Sequence, residues 1–300
     1  MFTLHEFVTR LGDTLYLGVD GGGTTSRARL ADEGGRVLGE GLAGSSNLTL
    51  GIEHAAASIR AAADEAFAAA GLPRSEQSRV AAGLGLAGAN VPSLAQAIRA
   101  APFPFASIAL ASDAVAACLG AHGGKDGAIL ILGTGSQGLA LVGGKATAIG
   151  GWGFLVSDEG SGAILGRQAI RASILACDGL APRSALTEAV MARFDDDPAQ
   201  AVVWAKTALP RDYGTFAPLV FEHRAQGDPV ATSLMDEAVA QVANAVDRLH
   251  ALGAHRVALM GGLAKPYRPW LPVRIAPFLV EPQGDALDGA LALARQGSSR

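Results

Sequence analysis

The feature that most constrains the fold is a pattern that occurs twice, in which an apolar strand enters a glycine-rich turn and a second strand leaves it. The first copy contains the segment DGGGTTSRARL, and the second contains LGTGSQGLALV. Both turns lead from strand to strand, whereas the common phosphate loops lead from a strand into a helix. The repetition predicts two related halves, each built around a sheet.

Strand and helix patterns alternate along the rest of the chain. The apolar segments Leu15–Val19 and Val80–Leu86 are typical of buried strands, and Glu53–Ala70 between them has the spacing of a helix. The second half begins with the strand Ala128–Leu132 and includes the amphipathic helix Ser233–Leu252. This alternation indicates the α/β class.

The domain organisation follows from where the pattern restarts. We expect a ligand cleft between the two halves, because clefts of this kind are the usual sites for small molecules. A last helix near residues 285–295 could pack back on the first domain. The predicted division is an N-terminal extension at 1–14, an N-terminal domain at 15–122 and a C-terminal domain at 123–300.

Composition excludes several classes of protein. The 300 residues include 24 Lys and Arg against 28 Asp and Glu, a net charge of -4, which argues against binding to nucleic acid or an anionic membrane. Two cysteines, Cys118 and Cys177, are too few for a disulfide framework or an iron–sulfur cluster. The start of the chain lacks the apolar core of a signal peptide, and the uncharged stretches Val80–Ile98 and Gly127–Gly144 are interrupted by turn residues. We therefore expect a cytoplasmic protein that binds a small molecule.

The glycine-rich turns are candidate anion sites. Backbone N–H groups can approach a phosphate closely where no Cβ atom intervenes, and hydroxyl groups add further donors. Gly21–Thr25 and Gly133–Ser136 both have this composition, and one turn from each half could clamp a polyphosphate. The alternative is that each turn is only a tight hairpin. Gly261 and Gly262, which follow the last clear strand, would let a flat ring such as adenine lie against the backbone.

Two aspartates follow predicted strands. Asp20 lies beside the first turn, where a carboxylate could hold Mg²⁺ through water; the alternative is an Asx turn. Asp113 follows the apolar strand Ser107–Ala111, where an unpaired acid costs free energy unless it has a function. It is a candidate general base for a substrate hydroxyl group, and the alternative is an N-cap for the helix Ala114–Gly120.

A further group of residues has the chemistry of a sugar site. Trp152 offers an apolar face, Asp158 offers two hydrogen-bond acceptors, and Asn47 can both donate and accept. The alternative for the acids near residue 158 is a favourable interaction with the N-terminus of the helix that follows.

Taken in order, these motifs resemble a known family. The segments DGGGTTSRARL, LASDAVAACLGA, ILGTGSQGLALVGG, GGWGFLVSDEGSGAILGRQA and LMGGLA are similar to those of the N-acetylglucosamine and glucosamine kinase group of the BadF/BadG/BcrA/BcrD ATPase family, within the sugar kinase, actin and heat-shock chaperone superfamily. The resemblance covers residues 15–295. It implies two ribonuclease-H-like (actin-like ATPase) domains, each with a mixed central sheet, and a nucleotide and sugar cleft between them.

The resemblance also implies an activity, namely ATP-dependent transfer of a phosphoryl group to the 6-hydroxyl group of N-acetylglucosamine or glucosamine. Asp113 would take the proton of that hydroxyl group, Asp20 would support Mg²⁺, and a homodimer would be common for this group. Residues that would bind the ATP phosphates are Gly22, Gly23, Thr24, Gly133, Thr134 and Gly135, and those at adenosine are Gly261 and Gly262. Residues that would bind the sugar are Asn47, Asp113, Thr134, Gly151, Trp152 and Asp158.

Other functions remain open at this point. A kinase for another sugar, such as glucose or an anhydro- or muramic-type sugar, would use the same motifs. An activator ATPase of a reductase or dehydratase needs cysteines for a shared iron–sulfur cluster, and a sugar sensor needs a DNA-binding module. The segment Ala87–Asn90 departs from the Ser-Gly-Gly run of mammalian-type members, so the preferred substituent at the sugar 2-position also stays open.

Overall fold

The computed structural model describes residues 14–298, which form two compact units. The first unit extends to Asp126 and resumes at Pro282, and the second comprises Gly127–Glu281. Apart from Thr14, the N-terminal extension expected at residues 1–14 lies outside the described residues. Because the chain returns to the first unit at Pro282, the C-terminal helix belongs to that unit.

The first unit contains a mixed five-stranded sheet in the order β3-β2-β1-β4-β5. The first three strands form an antiparallel meander, and β4 and β5 are added parallel to β1. The carboxyl ends of β1, β3, β4 and β5 therefore lie along one edge of the sheet. The strands are β1 Leu15–Gly21, β2 Thr25–Ala31, β3 Val37–Gly44, β4 Val80–Leu86 and β5 Ser107–Ser112.

The second unit repeats this topology, with the order β10-β9-β6-β7-β8. Strands β6 to β8 form the meander, and β9 and β10 are parallel to β6. The prediction of an α/β protein is confirmed, although β8 and β10 were not predicted because β8 is largely exposed and β10 has only two residues. The strands are β6 Gly127–Leu132, β7 Ser136–Val142, β8 Lys145–Gly150, β9 Val257–Met260 and β10 Leu279–Val280.

Helices cover both sheets, and among residues 14–298 none combines the length and the apolar character needed to cross a membrane. The α-helices are α1 Ile52–Ala69, α2 Pro92–Arg99, α3 Asp113–Ala121, α4 Gly162–Cys177, α5 Ala185–Met191, α6 Pro198–Ala205, α7 Pro210–Gly214, α8 Ala217–Ala225, α9 Pro229–Ala251, α10 Ala264–Tyr267 and α11 Ala286–Ser298. Short 3-10 helices are Leu48–Leu50, Arg74–Arg79, Ala192–Phe194, Arg268–Trp270 and Val273–Phe278.

Alternation along β1 separates two packed faces of the first sheet. Leu17 and Val19 are fully buried in the core that includes Phe67 of α1. Gly18, between them, faces α11, where an added Cβ atom would lie 2.7 Å from the carbonyl oxygen of Leu287. Because side chains alternate across a strand, Asp20 lies on the same face as Gly18 and α11.

In the second unit, Asp228 links two helices. Its Oδ1 accepts hydrogen bonds from the N–H groups of Val230 and Ala231 at the start of α9, and its Oδ2 accepts one from the N–H of Leu186 in α5, at 2.9, 2.9 and 3.0 Å. Burial acts to raise the pKa of Asp228, but these N–H groups and the Ser184 hydroxyl outweigh it, so that the pKa is lowered.

Asp228→Ala is therefore expected to lower the free energy of unfolding by about 2–4 kcal/mol, because α9 loses its cap and the buried N–H of Leu186 loses its acceptor. Since the pKa is lower in the folded chain, this stabilisation is present above the unfolded value of about 3.9 and is lost as the pH falls below it. Urea unfolding at pH 7 and at decreasing pH measures both effects. The exposed cap Asp197 is the control, and Asp197→Ala should cost about 1 kcal/mol; equal losses in the two variants would contradict the linking role.

Candidate functional site

The first glycine turn connects β1 to β2 and leaves its backbone accessible. The N–H of Gly22 donates to the carbonyl of Thr25 at 3.1 Å, which closes the turn, while Gly23 and Thr24 are exposed. A Cβ atom at Gly23 would have open space around it, and neither Gly22 nor Gly23 has a positive φ. Backbone conformation therefore does not require these glycines, and the absence of side chains leaves the backbone of the turn uncovered.

Asp113 lies at the carboxyl edge of the same sheet, as the first residue of α3. The N-cap of α3 is Ser112, whose hydroxyl accepts from the N–H of Val115 at 3.3 Å, so the alternative that made Asp113 the cap is wrong. A serine with extended backbone ends β5 and fulfils that role one residue earlier. Asp113 Oδ1 accepts instead from the N–H of Ala114 at 2.8 Å.

The electrostatic surroundings of Asp113 suit a proton acceptor. Burial is the main cause that raises the pKa of the Asp113 carboxyl, and the negative charge of Asp20 raises it further, against the opposing N–H of Ala114. A carboxylate with a raised pKa is a stronger base than an exposed one. The carboxylates of Asp20 and Asp113 are therefore close enough to influence each other on one face of the first unit.

Asp20 is held by a salt bridge across the β1–β2 hairpin. Its Oδ2 accepts from Arg27 Nη2 at 2.7 Å and from Arg27 Nε at 3.3 Å, and Arg27 Nη1 donates to Asp285 at 3.2 Å. Asp20 lies within β1, so the alternative that it forms an Asx turn is wrong. Among residues 14–298, Asp20 Oδ1 has no protein partner.

These features of Asp20 fit a magnesium ion bound together with a nucleotide. No three His, Cys, Asp or Glu side chains cluster as a metal site in the part of the chain that the structure describes. Mg²⁺ needs no such cluster, because it is usually bound by one or two carboxylates, phosphate oxygens and water. Asp20 Oδ1, which has no protein partner within the described part of the chain, suits that arrangement.

Asn47 begins the 3-10 helix after β3. Its Oδ1 accepts from the N–H of Thr49 at 3.0 Å and from the Thr49 hydroxyl at 2.9 Å, which leaves the amide nitrogen as a donor. Gly88 lies beside it, since an added Cβ atom there would be 3.4 Å from Asn47 Oδ1. The unusual segment Ala87–Asn90 thus borders Asn47.

The second glycine turn is held against the start of α4. The N–H groups of Gly162 and Ala163 donate to the carbonyls of Gly133 and Thr134, at 2.8 and 3.1 Å. Within the turn, the N–H of Gly133 donates to the carbonyl of Gly135 at 2.9 Å. The carbonyls are thus turned toward the helix, and Thr134 remains exposed.

Asp158 lies against this second turn. A Cβ atom at Gly135 would be 2.8 Å from Asp158 Oδ2, so a larger residue would require the carboxylate to shift. Asp158 Oδ1 accepts from the N–H of Gly153 at 3.3 Å, and the residue is 9% exposed with a φ of 69°. The left-handed region is uncommon for residues other than glycine, although aspartate adopts it more readily than most.

The loop that carries Gly151 and Trp152 is less closely tied to the turn. Gly151 has a φ of 73° and packs on the side chain of Gln137. The side chains of Trp152, Leu155 and Val156 are 79, 86 and 78% exposed. The ring of Trp152 is therefore available to a ligand but is not packed against Asp158.

Gly261 and Gly262 lie beside the end of β6. A Cβ atom at Gly261, whose φ is 88°, would be 2.4 Å from the carbonyl oxygen of Leu132. The N–H of Leu263 donates to the same carbonyl at 2.9 Å. Gly262 faces open space, which suits a flat ring against the backbone. These glycines and the turn at residues 133–135 thus share one edge of the second sheet.

Three residues that hydrogen-bond to Asp20, to its partner Arg27 or to the first glycine turn were not predicted, namely Arg27, Asp285 and Ser45, whose hydroxyl group donates to the carbonyl of Gly22. The pairing of Asp20 with Arg27 follows from the hairpin register, which a two-strand prediction could have supplied. Ser45 offered no signal beyond the run Ser45-Ser46-Asn47, and Asp285 is 258 residues away from Arg27 along the chain.

Comparison with known proteins gives matches to one ATPase family and to amino-sugar kinases. The profile of the BadF/BadG/BcrA/BcrD ATPase family matches residues 17–270. A glucosamine kinase of Vibrio cholerae is 44% identical over 279 residues, which cover 93% of this chain and 95% of that protein. An N-acetyl-D-glucosamine kinase of Dictyostelium discoideum is 30% identical over 132 residues, 41% of this chain and 40% of that protein.

A solved structure supports the fold assignment. A proposed N-acetylglucosamine kinase from Chromobacterium violaceum is 38% identical, with a TM-score of 0.79 over 94% of this chain and 99% of that one. The two mixed sheets with their helices match the actin-like ATPase architecture of such kinases, so the predicted fold class is confirmed.

Proposed function

Because the chain belongs to the BadF/BadG/BcrA/BcrD ATPase family, we propose that it is an ATP-dependent hexosamine kinase that phosphorylates the 6-hydroxyl group of an amino sugar. The observation that carries this proposal is Asp113, a partly buried carboxylate with a raised pKa at the same sheet edge as the open turn at residues 22–24. Glucosamine is the favoured substrate, since the glucosamine kinase of Vibrio cholerae is similar along nearly its whole length.

The residues of the first unit would act on the acceptor and the transferred phosphoryl group. Phosphoryl transfer depends mainly on positioning and on neutralising charge. Asp113 would orient the sugar 6-hydroxyl group and accept its proton, and the exposed N–H groups of Gly23 and Thr24 would donate to phosphate oxygens. When bound with ATP, Mg²⁺ would neutralise charge on the phosphate oxygens, with Asp20 Oδ1 as its protein-side acceptor through water. Asn47 would donate from its amide nitrogen to the sugar.

The second unit would supply further contacts of the same kinds. Thr134 and Gly135 would donate to phosphates, while Gly133, whose N–H is bonded to the carbonyl of Gly135, would only leave room for them. The carboxylate of Asp158 would accept from sugar hydroxyl groups. Gly261 and Gly262 would lie against adenosine. The exposed ring of Trp152 would pack on the apolar face of the sugar, in keeping with the sugar-site role that the family resemblance implies for this residue. The cleft expected between the two halves stays a prediction.

A substrate panel tests the proposal. Release of ADP is measured in a coupled assay with MgATP and, in turn, glucosamine, N-acetylglucosamine, glucose, N-acetylmannosamine and a muramic-type sugar. We expect the highest kcat/KM with glucosamine and a 6-phosphate product identified by NMR. A preference for N-acetylglucosamine would correct the substrate but keep the enzyme class. ATP turnover that no amino sugar stimulates would contradict the proposal.

A further inference from the structure

Loops that follow β1, β3 and β4 are joined by hydrogen bonds at the carboxyl edge of the first sheet. The N–H of Ala87 donates to the carbonyl of Gly21 at 2.8 Å. The carbonyl of Ala87 in turn accepts from the N–H of Leu48 at 3.0 Å. Backbone groups thus connect the first glycine turn to the segment after β4, and that segment to the 3-10 helix after β3.

The hydroxyl group of Ser45 closes these bonds into a ring. Ser45 Oγ accepts from the N–H of Asn47 at 3.2 Å and donates to the carbonyl of Gly22 at 2.9 Å. The Ser45 hydroxyl therefore accepts a hydrogen bond from its own loop, after β3, and donates one to the turn after β1. Ser45 is 8% exposed, so water competes little for either bond.

The base of the same turn is fixed from its other side. A Cβ atom at Gly21 would lie 2.0 Å from Ser46 Oγ, so the two residues are in close contact. The Ser46 hydroxyl donates to Ser26 Oγ at 2.7 Å, and the fully buried Ser26 hydroxyl donates in turn to the carbonyl of Gly44 at 2.8 Å. Gly21 is fixed in this way. The bond from Ser45 to the carbonyl of Gly22 then orients the peptide group between Gly22 and Gly23, and with it the N–H of Gly23.

We propose that Ser45 is a positioning residue, whose hydroxyl group couples the phosphate-binding turn to the sugar-binding Asn47. This inference rests on the proposed function. Ser45 touches neither ligand in this role, since it acts through the carbonyl of Gly22 on one side and the N–H of Asn47 on the other. Loss of one hydroxyl group should therefore weaken the binding of two chemically unrelated ligands.

Ser45→Ala tests the coupling. We expect KM for ATP and KM for the amino sugar each to rise about three- to tenfold, the size expected for the loss of one net hydrogen bond. ADP release gives both KM values, and isothermal titration with the ATP analogue AMP-PNP gives the nucleotide affinity directly. Ser173→Ala is the matched control, because that buried hydroxyl donates to the carbonyl of Ala169 within its own helix. A purely structural effect would lower Tm in both variants and leave the KM values unchanged.

A double-mutant cycle with Asn47→Ala gives the second readout. If Ser45 acts on the sugar through Asn47, its effect on KM for the sugar should disappear in the Asn47→Ala background, while its effect on KM for ATP persists. If the fold-changes in the sugar KM caused by Ser45→Ala and Asn47→Ala multiply in the double variant, the two residues act independently and the proposal is overturned. KM values in Ser45→Ala within twofold of wild type would overturn it as well. If the wild type phosphorylates no amino sugar, the proposed function fails, and unchanged AMP-PNP affinity in Ser45→Ala would overturn the inference separately.

Discussion

Asp113→Asn is expected to lower kcat for sugar phosphorylation about 10²–10⁴-fold, because it removes the proton acceptor from the site. The affinity for nucleotide should stay near that of the wild type, since the amide oxygen of the substituted side chain could still accept from the N–H of Ala114 and keep the start of α3 in place. Burial raises the pKa of Asp113, so the acid limb of the wild-type pH–rate profile should lie above the ordinary aspartate value of about 3.9 and be absent from the variant. Coupled ADP release and isothermal titration measure these quantities.

Ser112→Ala is the control for this substitution. It removes the cap of α3, at a cost of about 1 kcal/mol in stability, but leaves the carboxylate of Asp113 in place. Its kcat should remain within tenfold of wild type. An Asp113→Asn enzyme whose kcat is also within tenfold of wild type would remove Asp113 from the role of base.

Gly289→Ala is expected to lower the free energy of unfolding by about 3 kcal/mol or more, at the upper end of the cost of overpacking. In α11, a Cβ atom at this position would lie 1.7 Å from the carbonyl oxygen of Ala116 and 2.5 Å from the N of Gly120, both backbone atoms of α3. Neither atom can move without moving the helix. Because α3 begins at Asp113, any displacement of α3 in this variant should also lower kinase activity. Urea unfolding, followed by circular dichroism, measures the loss of stability.

Gly34→Ala provides a matched control. Gly34 is exposed, has no positive φ, and an added Cβ atom would make only a 3.4 Å contact with Asp32. Its stability should be within about 0.5 kcal/mol of wild type, as is usual for surface positions. A loss below about 1 kcal/mol in Gly289→Ala would show that α11 can shift on α3 and would contradict the close packing described above.

Local patterns were the reliable part of the prediction. The buried strand Val80–Leu86 has the predicted bounds, and the amphipathic helix expected at Ser233–Leu252 is observed at Pro229–Ala251. The strand is apolar throughout, and the helix is long with apolar residues at regular spacing, so both can be recognised from neighbouring residues alone. The alternative that made Asp113 the cap of α3 was one residue too late, because Ser112 both ends β5 and caps the helix.

The sequence by itself determined the strand–turn–strand repeat, the α/β class and the candidate residues, because these depend on spacing over a few positions. Only the tertiary structure decided which residues meet across the chain: Arg27 with Asp285, Asp158 with Gly135, and Ser45 with Gly22. Such contacts join segments that are distant along the chain, and their geometry depends on how sheets and helices pack rather than on any local propensity. A hydroxyl group that links two loops has no periodicity and leaves no mark in the sequence until the fold brings its partners within hydrogen-bond distance.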